Sequence, residues 1–86
     1  MNHNIGKGAW NSKMYEVNDS LFTKKVDDNG IKFGYISDKL GITRYALIKK
    51  RKGLSPFKIS EINQITELLH LSADERDDIF GLRSPQ

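Results

Sequence analysis

The sequence predicts an all-α protein, a compact five-helix bundle, and three observations support this prediction. Apolar residues recur at spacings of three and four, the period of a helix that buries one face. Residues that favour helix ends, mainly Asn, Ser, Thr and Gly, stand where these apolar patterns begin and stop. No stretch alternates apolar and polar residues as a half-buried β-strand does.

The first predicted helix begins at residues 18–20, where Asn, Asp or Ser can each cap its first turn. Phe22 and Val26 are four residues apart, so they share the face that we expect to be buried. The pair Asn29-Gly30 ends the helix, because Gly adopts the left-handed conformation that follows many helices. The compact domain is expected to span about residues 18–82.

The stretch from residue 32 to residue 53 predicts two short helices around a tight turn. Ile36 and Leu40 share one face of the first helix, and Gly41 follows as a helix-ending residue. Thr43 then caps the second helix by accepting a backbone N–H that lacks a partner. This second helix ends in the basic run Lys49-Lys50-Arg51-Lys52. A short helix, a Gly turn and a helix with a basic end are typical of a DNA-binding helix-turn-helix.

Two further helices are predicted in the last third of the chain. One extends from about Pro56 to His70, with Ser55 as its cap and Pro56 at its first position. Ser72 caps the last helix, and Glu75 completes a capping box with it. The longer helix has an apolar stripe made of Phe57, Ile59, Ile62, Ile65, Leu68 and Leu69.

The motif Ile36-Ser37-x-x-Leu40-Gly41-Ile42-Thr43-x-x-x-Leu47 resembles the helix-turn-helix of phage Cro/CI-type repressors. Short stretches beyond the motif are similar to small prophage regulators of this class: Ser55-Pro56-Phe57, Glu61-Ile62 and Leu68-Leu69. The resemblance covers roughly residues 21–80. It implies a lambda-repressor-like DNA-binding domain of five helices and a role in transcription regulation. It also implies a double-stranded DNA operator as the partner, bound by a homodimer.

Composition narrows the class of function. The chain has 86 residues and no Cys, so we expect one small domain without disulfides or thiolate metal sites. We find neither a membrane-spanning apolar run nor a signal-peptide pattern, so the expected location is the cytoplasm of a bacterial host cell. No nucleophile–base pair or metal-ligand spacing is evident, and we therefore expect no enzyme, cofactor, metal or small-molecule substrate. Residues 1–13 are interpreted as a disordered leader, vector-derived or native, before a domain at residues 14–86.

The charge is unevenly distributed along the chain. The net charge is only +3, but residues 24–58 hold ten basic groups and three acidic ones. Residues 59–86 hold two basic groups against six acidic ones. Such an asymmetric field suits a polyanionic partner on one face of the domain.

The candidate DNA-binding residues cluster around the second helix of the motif, a recognition helix at about residues 44–52. Arg44 follows the Thr43 cap, at the end that enters the major groove in the family, and its guanidinium suits guanine O6 and N7. Tyr45 suits a phosphate or a thymine methyl group, and its alternative role is to shield the turn. The predicted DNA-binding set comprises Lys32, Thr43, Arg44, Tyr45, Ile48, Lys49 and Lys52.

The chain also departs from the family pattern, which leaves a second interpretation open. Phe33 stands where many relatives have a Gln that contacts the DNA backbone, and Lys32 stands where they have a Ser or Thr cap. Ile48 takes a position that is often polar, while Lys50 and Arg51 replace an apolar anchor. Apolar patches often mark protein contacts. The alternative function is an antirepressor, a protein-binding modulator that docks on the DNA-binding face of a phage repressor through Phe33, Tyr45 and Ile48.

Overall fold

Five α-helices form the regular structure of residues 14–82, the part of the chain that the computed structural model describes. They are α1 (Asp19–Asp28), α2 (Phe33–Leu40), α3 (Arg44–Arg51), α4 (Ile59–Leu68) and α5 (Ala73–Phe80). No residue between 14 and 82 lies in a β-strand, which confirms the all-α prediction. The predicted leader at residues 1–13 lies outside the described residues. Within them, no helix has the length and apolar character needed to cross a membrane.

All five helices bury side chains in one common core. Helix α2 packs against α3 and α4, and α5 packs against α1 and α4. Phe22 lies at the centre of an aromatic cluster, fully buried, with its ring edge-on to those of Phe33, Phe57 and Phe80 at centroid distances of 5.1, 6.2 and 5.8 Å. Edge-to-face geometry of this kind adds about 0.5–1.5 kcal/mol per pair beyond the burial of apolar area.

Three of the predicted caps are confirmed by hydrogen bonds. Asn18 caps α1, which decides between the three candidates at residues 18–20, and Thr43 caps α3. Each side-chain oxygen accepts the backbone N–H three residues further on, at 3.1 and 3.0 Å. At α5, Ser72 accepts the N–H of Glu75 at 3.1 Å and donates its own N–H to the Glu75 carboxylate at 2.9 Å.

The predicted start of the fourth helix was wrong. Helix α4 begins at Ile59 rather than Pro56, and Ser55 does not cap it. Lys58 occupies the cap position, and its N–H donates to Oε1 of Glu61 at 2.8 Å. The preceding residues stay outside the helix because the Pro56 carbonyl accepts a hydrogen bond from Lys50, and the ring of Phe57 enters the aromatic cluster.

The later start of α4 changes which of its apolar residues are buried. Ile62 and Ile65 belong to the core, as predicted, but Ile59 is 70% exposed in the first turn. The helix also ends earlier than expected, at Leu68. His70 follows it with φ of 53°, a left-handed conformation that is uncommon outside Gly.

Candidate nucleic-acid interface

Helices α2 and α3 are joined by a tight turn whose geometry agrees with the sequence pattern. Gly41 ends α2 in the left-handed conformation, with φ of 70° and ψ of 31°. Leu47 of α3 and Ser37 of α2 are both buried, at 2% and 1% exposure. The Ser37 hydroxyl is satisfied inside α2, since it donates to the Gly34 carbonyl at 2.9 Å. A small residue at position 37 therefore lets the two helices approach closely.

The outward face of α3 carries most of the residues predicted to bind DNA. Positions 44, 45, 48, 49 and 52 are separated by spacings that place them on one side of a helix, and buried Leu47 lies on the other side. Tyr45 is 71% exposed and Ile48 is 42% exposed. Thr43, Arg44 and Lys52 are also exposed, and Lys49 is half-buried with its ammonium 5.7 Å from the Tyr45 ring centroid.

Lys32 lies at the start of α2, on the side to which Arg44 extends. It occupies the cap position in an extended conformation, and its side chain forms no capping hydrogen bond. Lys32 and Arg44 line the same open cleft, to which Asp38 contributes one carboxylate. The structure therefore brings together the two cations that the sequence separates by a whole helix.

The described part of the chain does not pair the cations of this surface with carboxylates. Within residues 14–82, neither Lys32, Arg44, Lys49 nor Lys52 forms an ion pair. Helix α3 contains no acidic residue. We call the surface formed by Lys32, Thr43, Arg44, Tyr45, Ile48, Lys49 and Lys52 the α3 face.

Lys50 points away from this face and pairs with a buried carboxylate. Its ammonium lies 3.1 Å from Oε1 of Glu61, and the two side chains are only 12% and 5% exposed. It also donates to the Pro56 carbonyl at 2.8 Å. This pair connects the end of α3 to the first turn of α4, a role that the sequence pattern does not predict. The only signal was a Lys at a position where the Cro/CI-type repressors, which the motif resembles, have an apolar anchor.

Arg51 is likewise used within the protein. Its guanidinium donates to both carboxylate oxygens of Asp19 on α1, at 2.8 and 3.0 Å. The Arg51 guanidinium carbon lies 3.6 Å from the ring centroid of Phe33. Half of the basic run at residues 49–52 is therefore structural.

The three residues of the predicted apolar patch lie in different surroundings. Phe33 is half-buried, and its ring contacts both the Arg51 guanidinium and the Phe22 ring. It lines a small cleft of about 170 Å³ together with Ile48. Tyr45 is exposed on the same helix as Ile48 but does not line this cleft. The exposed apolar surface of the α3 face is therefore provided mainly by Tyr45 and Ile48.

The resolved shifts in pKa belong to ion pairs away from the α3 face. The pKa of Glu75 is lowered, chiefly because Lys25 hydrogen-bonds to its carboxylate and then because the Ser72 backbone does so. The pKa of Lys24 is raised by its hydrogen bond to Asp28. Across residues 14–82 there is no group of three His, Cys, Asp or Glu side chains arranged to hold a metal ion.

Comparison with known proteins found no match among family models, curated proteins or solved structures. The function must therefore be inferred from the α3 face itself. Its features are a short helix at the surface, four cations that form no ion pair within residues 14–82, and two exposed apolar side chains.

Proposed function

We propose that this protein is a sequence-specific DNA-binding transcriptional regulator of the phage or prophage repressor type, with a lambda-repressor-like helix-turn-helix. The observation that carries the proposal is the division of cations around α3. Lys50 and Arg51 are paired inside the domain, whereas Arg44, Lys49 and Lys52 on the outward side of α3 have no acidic partner among the described residues. A surface helix with this arrangement suits the phosphate-lined major groove, which admits one α-helix.

Each part of the α3 face has a role in this proposal. Arg44 is in the first turn of α3 and reads a guanine edge through two hydrogen bonds. Lys32, Lys49 and Lys52 contact phosphates on either side of the groove, which fixes the position of α3 without reading sequence. Thr43 and Tyr45 provide further contacts to phosphate or to a thymine methyl group.

The partner in this proposal is a double-stranded operator bound by a homodimer. One recognition helix of eight residues covers only a few base pairs, so two copies at half-sites about 10 base pairs apart would provide enough contacts for selectivity. A homodimer that forms on DNA would appear as two successive shifted bands in a gel.

Selection from a mixed duplex library tests the proposal directly. The full chain is incubated with duplexes whose central 20 or so base pairs are randomised, which is enough for two half-sites, and the retained duplexes are sequenced. Enrichment of one motif, with tighter binding to it than to the starting library, is the expected result. Retention of duplexes without any shared motif, at an affinity equal to that of the library, would reject a sequence-specific regulator.

A second candidate function is supported by the exposed side chains of Tyr45 and Ile48. Large apolar side chains at 71% and 42% exposure on a helix are typical of contacts with protein as well as with DNA. In this alternative the chain is an antirepressor, and the α3 face docks on the DNA-binding face of a repressor.

A further inference from the structure

We infer that Gly34 is a positioning residue for Arg44: its missing side chain leaves the space in which the Arg44 guanidinium lies. The effect of Gly34 on DNA binding rests on the proposed function, in which the oriented guanidinium reads DNA. The contact itself is a property of the unbound domain.

The geometry at Gly34 shows how completely Arg44 fills that space. A Cβ atom built on Gly34 would lie 2.6 Å from Nη2 of Arg44, and 3.0 Å from both its Cζ and its Nε. Real Cβ atoms essentially never come as close as 2.6 Å, so the guanidinium, which is the end of a flexible side chain, would have to move aside. The guanidinium therefore lies directly over the backbone of α2, in the volume that any other residue at position 34 would occupy.

The backbone gives no other reason for glycine at this position. The other glycines of the described residues have φ between 66° and 76°, and their positions are 30, 41, 53 and 81. Gly34 is the second residue of α2 and lacks a positive φ. Glycine within a helix is less favourable than alanine. Glycine at position 34 weakens α2 but leaves room for the Arg44 side chain. Such an exchange is expected where the position of the side chain matters for function.

The Arg44 side chain keeps its donors available in this position. Among the described residues, it forms neither an ion pair nor a side-chain hydrogen bond. Contact with α2 limits its rotamers, so less conformational entropy is lost when the guanidinium binds a base. Gly34 would thus increase the contribution of Arg44 to DNA affinity without itself contacting DNA.

The test compares Gly34→Ala with Arg44→Ala and with the double variant, on the duplex selected by the full chain. Loss of Arg44 is expected to weaken binding roughly five- to 150-fold. Gly34→Ala should weaken binding at least about fivefold, and it should have no further effect once Arg44 is absent. Ser60→Ala is the matched control, since Ser60 is the exposed second residue of α4 and lies outside the α3 face.

A second measurement examines the contact without DNA. The Nε–H signal of Arg44 is identified by its absence in Arg44→Ala, and its ¹⁵N relaxation is recorded in the full chain. Arg51, which is held by Asp19, provides the reference for an ordered guanidinium. Arg44 should be ordered in the parent protein and mobile in Gly34→Ala, while the circular dichroism spectrum of the variant stays unchanged.

The outcomes separate this inference from the proposed function. Selective DNA binding that Gly34→Ala leaves unchanged would overturn the inference and retain the function. Absence of selective binding by the parent chain would reject the function and any role of Gly34 in reading DNA. Equal mobility of the Arg44 Nε–H in both proteins would overturn the positioning contact itself.

Discussion

Lys50 and Glu61 form an ion pair of 3.1 Å between side chains that are almost completely buried. Lys50 belongs to a run of four consecutive cations, yet its ammonium pairs with Glu61 in the first turn of α4 and donates to the Pro56 carbonyl. Burial makes such a pair sensitive to the loss of one member, because the remaining charge stays in a poorly solvated site. The pair therefore helps to fix the end of α3 in the domain, together with the Arg51–Asp19 pair.

The first prediction is that Lys50→Met destabilises the fold by about 3 kcal/mol, because it leaves the buried Glu61 carboxylate without its cation. Adding Glu61→Gln should recover part of this loss, since the amide removes the charge. Urea unfolding followed by circular dichroism measures both variants. Lys49→Met is the control, and its free energy of unfolding should stay within about 0.5 kcal/mol of the parent value. Equal losses for Lys49→Met and Lys50→Met would contradict the assignment of a structural role to Lys50.

The second prediction concerns the dependence of DNA affinity on salt. If Lys32, Lys49 and Lys52 each contact a phosphate, then changing any one of them to Met should make the negative slope of log affinity against log salt less steep by about one. The comparison is made on both the selected duplex and an unrelated one, because phosphate contacts do not depend on sequence.

Lys24→Met provides the control for charge in this titration. It removes the same formal charge, but Lys24 pairs with Asp28 on α1, away from the α3 face. Its slope should equal that of the parent protein. A slope that falls equally in all four variants would indicate a general effect of net charge rather than contacts at named residues.

The third prediction separates DNA reading from protein docking. Arg44→Ala should lose about 1–3 kcal/mol at the selected duplex and relax the preference at one base position. Its affinity for an unrelated duplex should fall much less, because backbone contacts supply most of that binding. The measurement is fluorescence anisotropy with the two duplexes at moderate salt.

Ile48→Asp tests the antirepressor alternative in the same series. A carboxylate without a partner is costly in a protein interface, so this variant should lose a complex with a repressor domain while the fold is retained. It also repels phosphate, and its effect on DNA alone therefore does not distinguish the functions. A tight repressor complex that Ile48→Asp abolishes, together with weak and sequence-indifferent DNA binding, would favour the alternative.

The fourth prediction is a loss of stability in acid through Glu75. Its pKa in the folded protein is lower than the ordinary value of 4.5, chiefly because of Lys25. Since the carboxylate binds its proton less readily when folded, its stabilising contribution is complete above the unfolded pKa. The contribution is lost as pH falls through the lower, folded pKa.

Glu75→Gln should therefore reduce the pH dependence of unfolding in this acidic range, as measured by urea titrations between neutral and acidic pH. Glu67→Gln is the matched control, because Glu67 is exposed and lies in no ion pair among residues 14–82. If both variants reduce the acid-induced fall in the free energy of unfolding equally, the Lys25–Glu75 pair is not the cause of that fall.

Much of the fold could be predicted from the sequence because its signals are local. The cap at Thr43 and the capping box of Ser72 and Glu75 involve residues three apart in the sequence. The end of α2 at Gly41 depends only on the ability of glycine to adopt a left-handed conformation. The start of α4 could not be predicted in this way. Ser55 and Pro56 form a strong local signal for a helix start. In the structure, however, the Pro56 carbonyl accepts a hydrogen bond from Lys50 and the Phe57 ring packs in the aromatic cluster, so the helix begins later.

The sequence by itself determined five helices, the α2–α3 turn and a basic segment around α3. Only the tertiary structure decided which cations of that segment are available. All four residues of the run at 49–52 are basic, so the sequence does not distinguish them. Lys50 and Arg51 differ because each pairs with a carboxylate on another helix, Glu61 on α4 and Asp19 on α1. The contact of Arg44 with Gly34 likewise requires α2 to be packed on α3. Periodicity defines the faces of a single helix, whereas the pairing of charges depends on which helices meet in space.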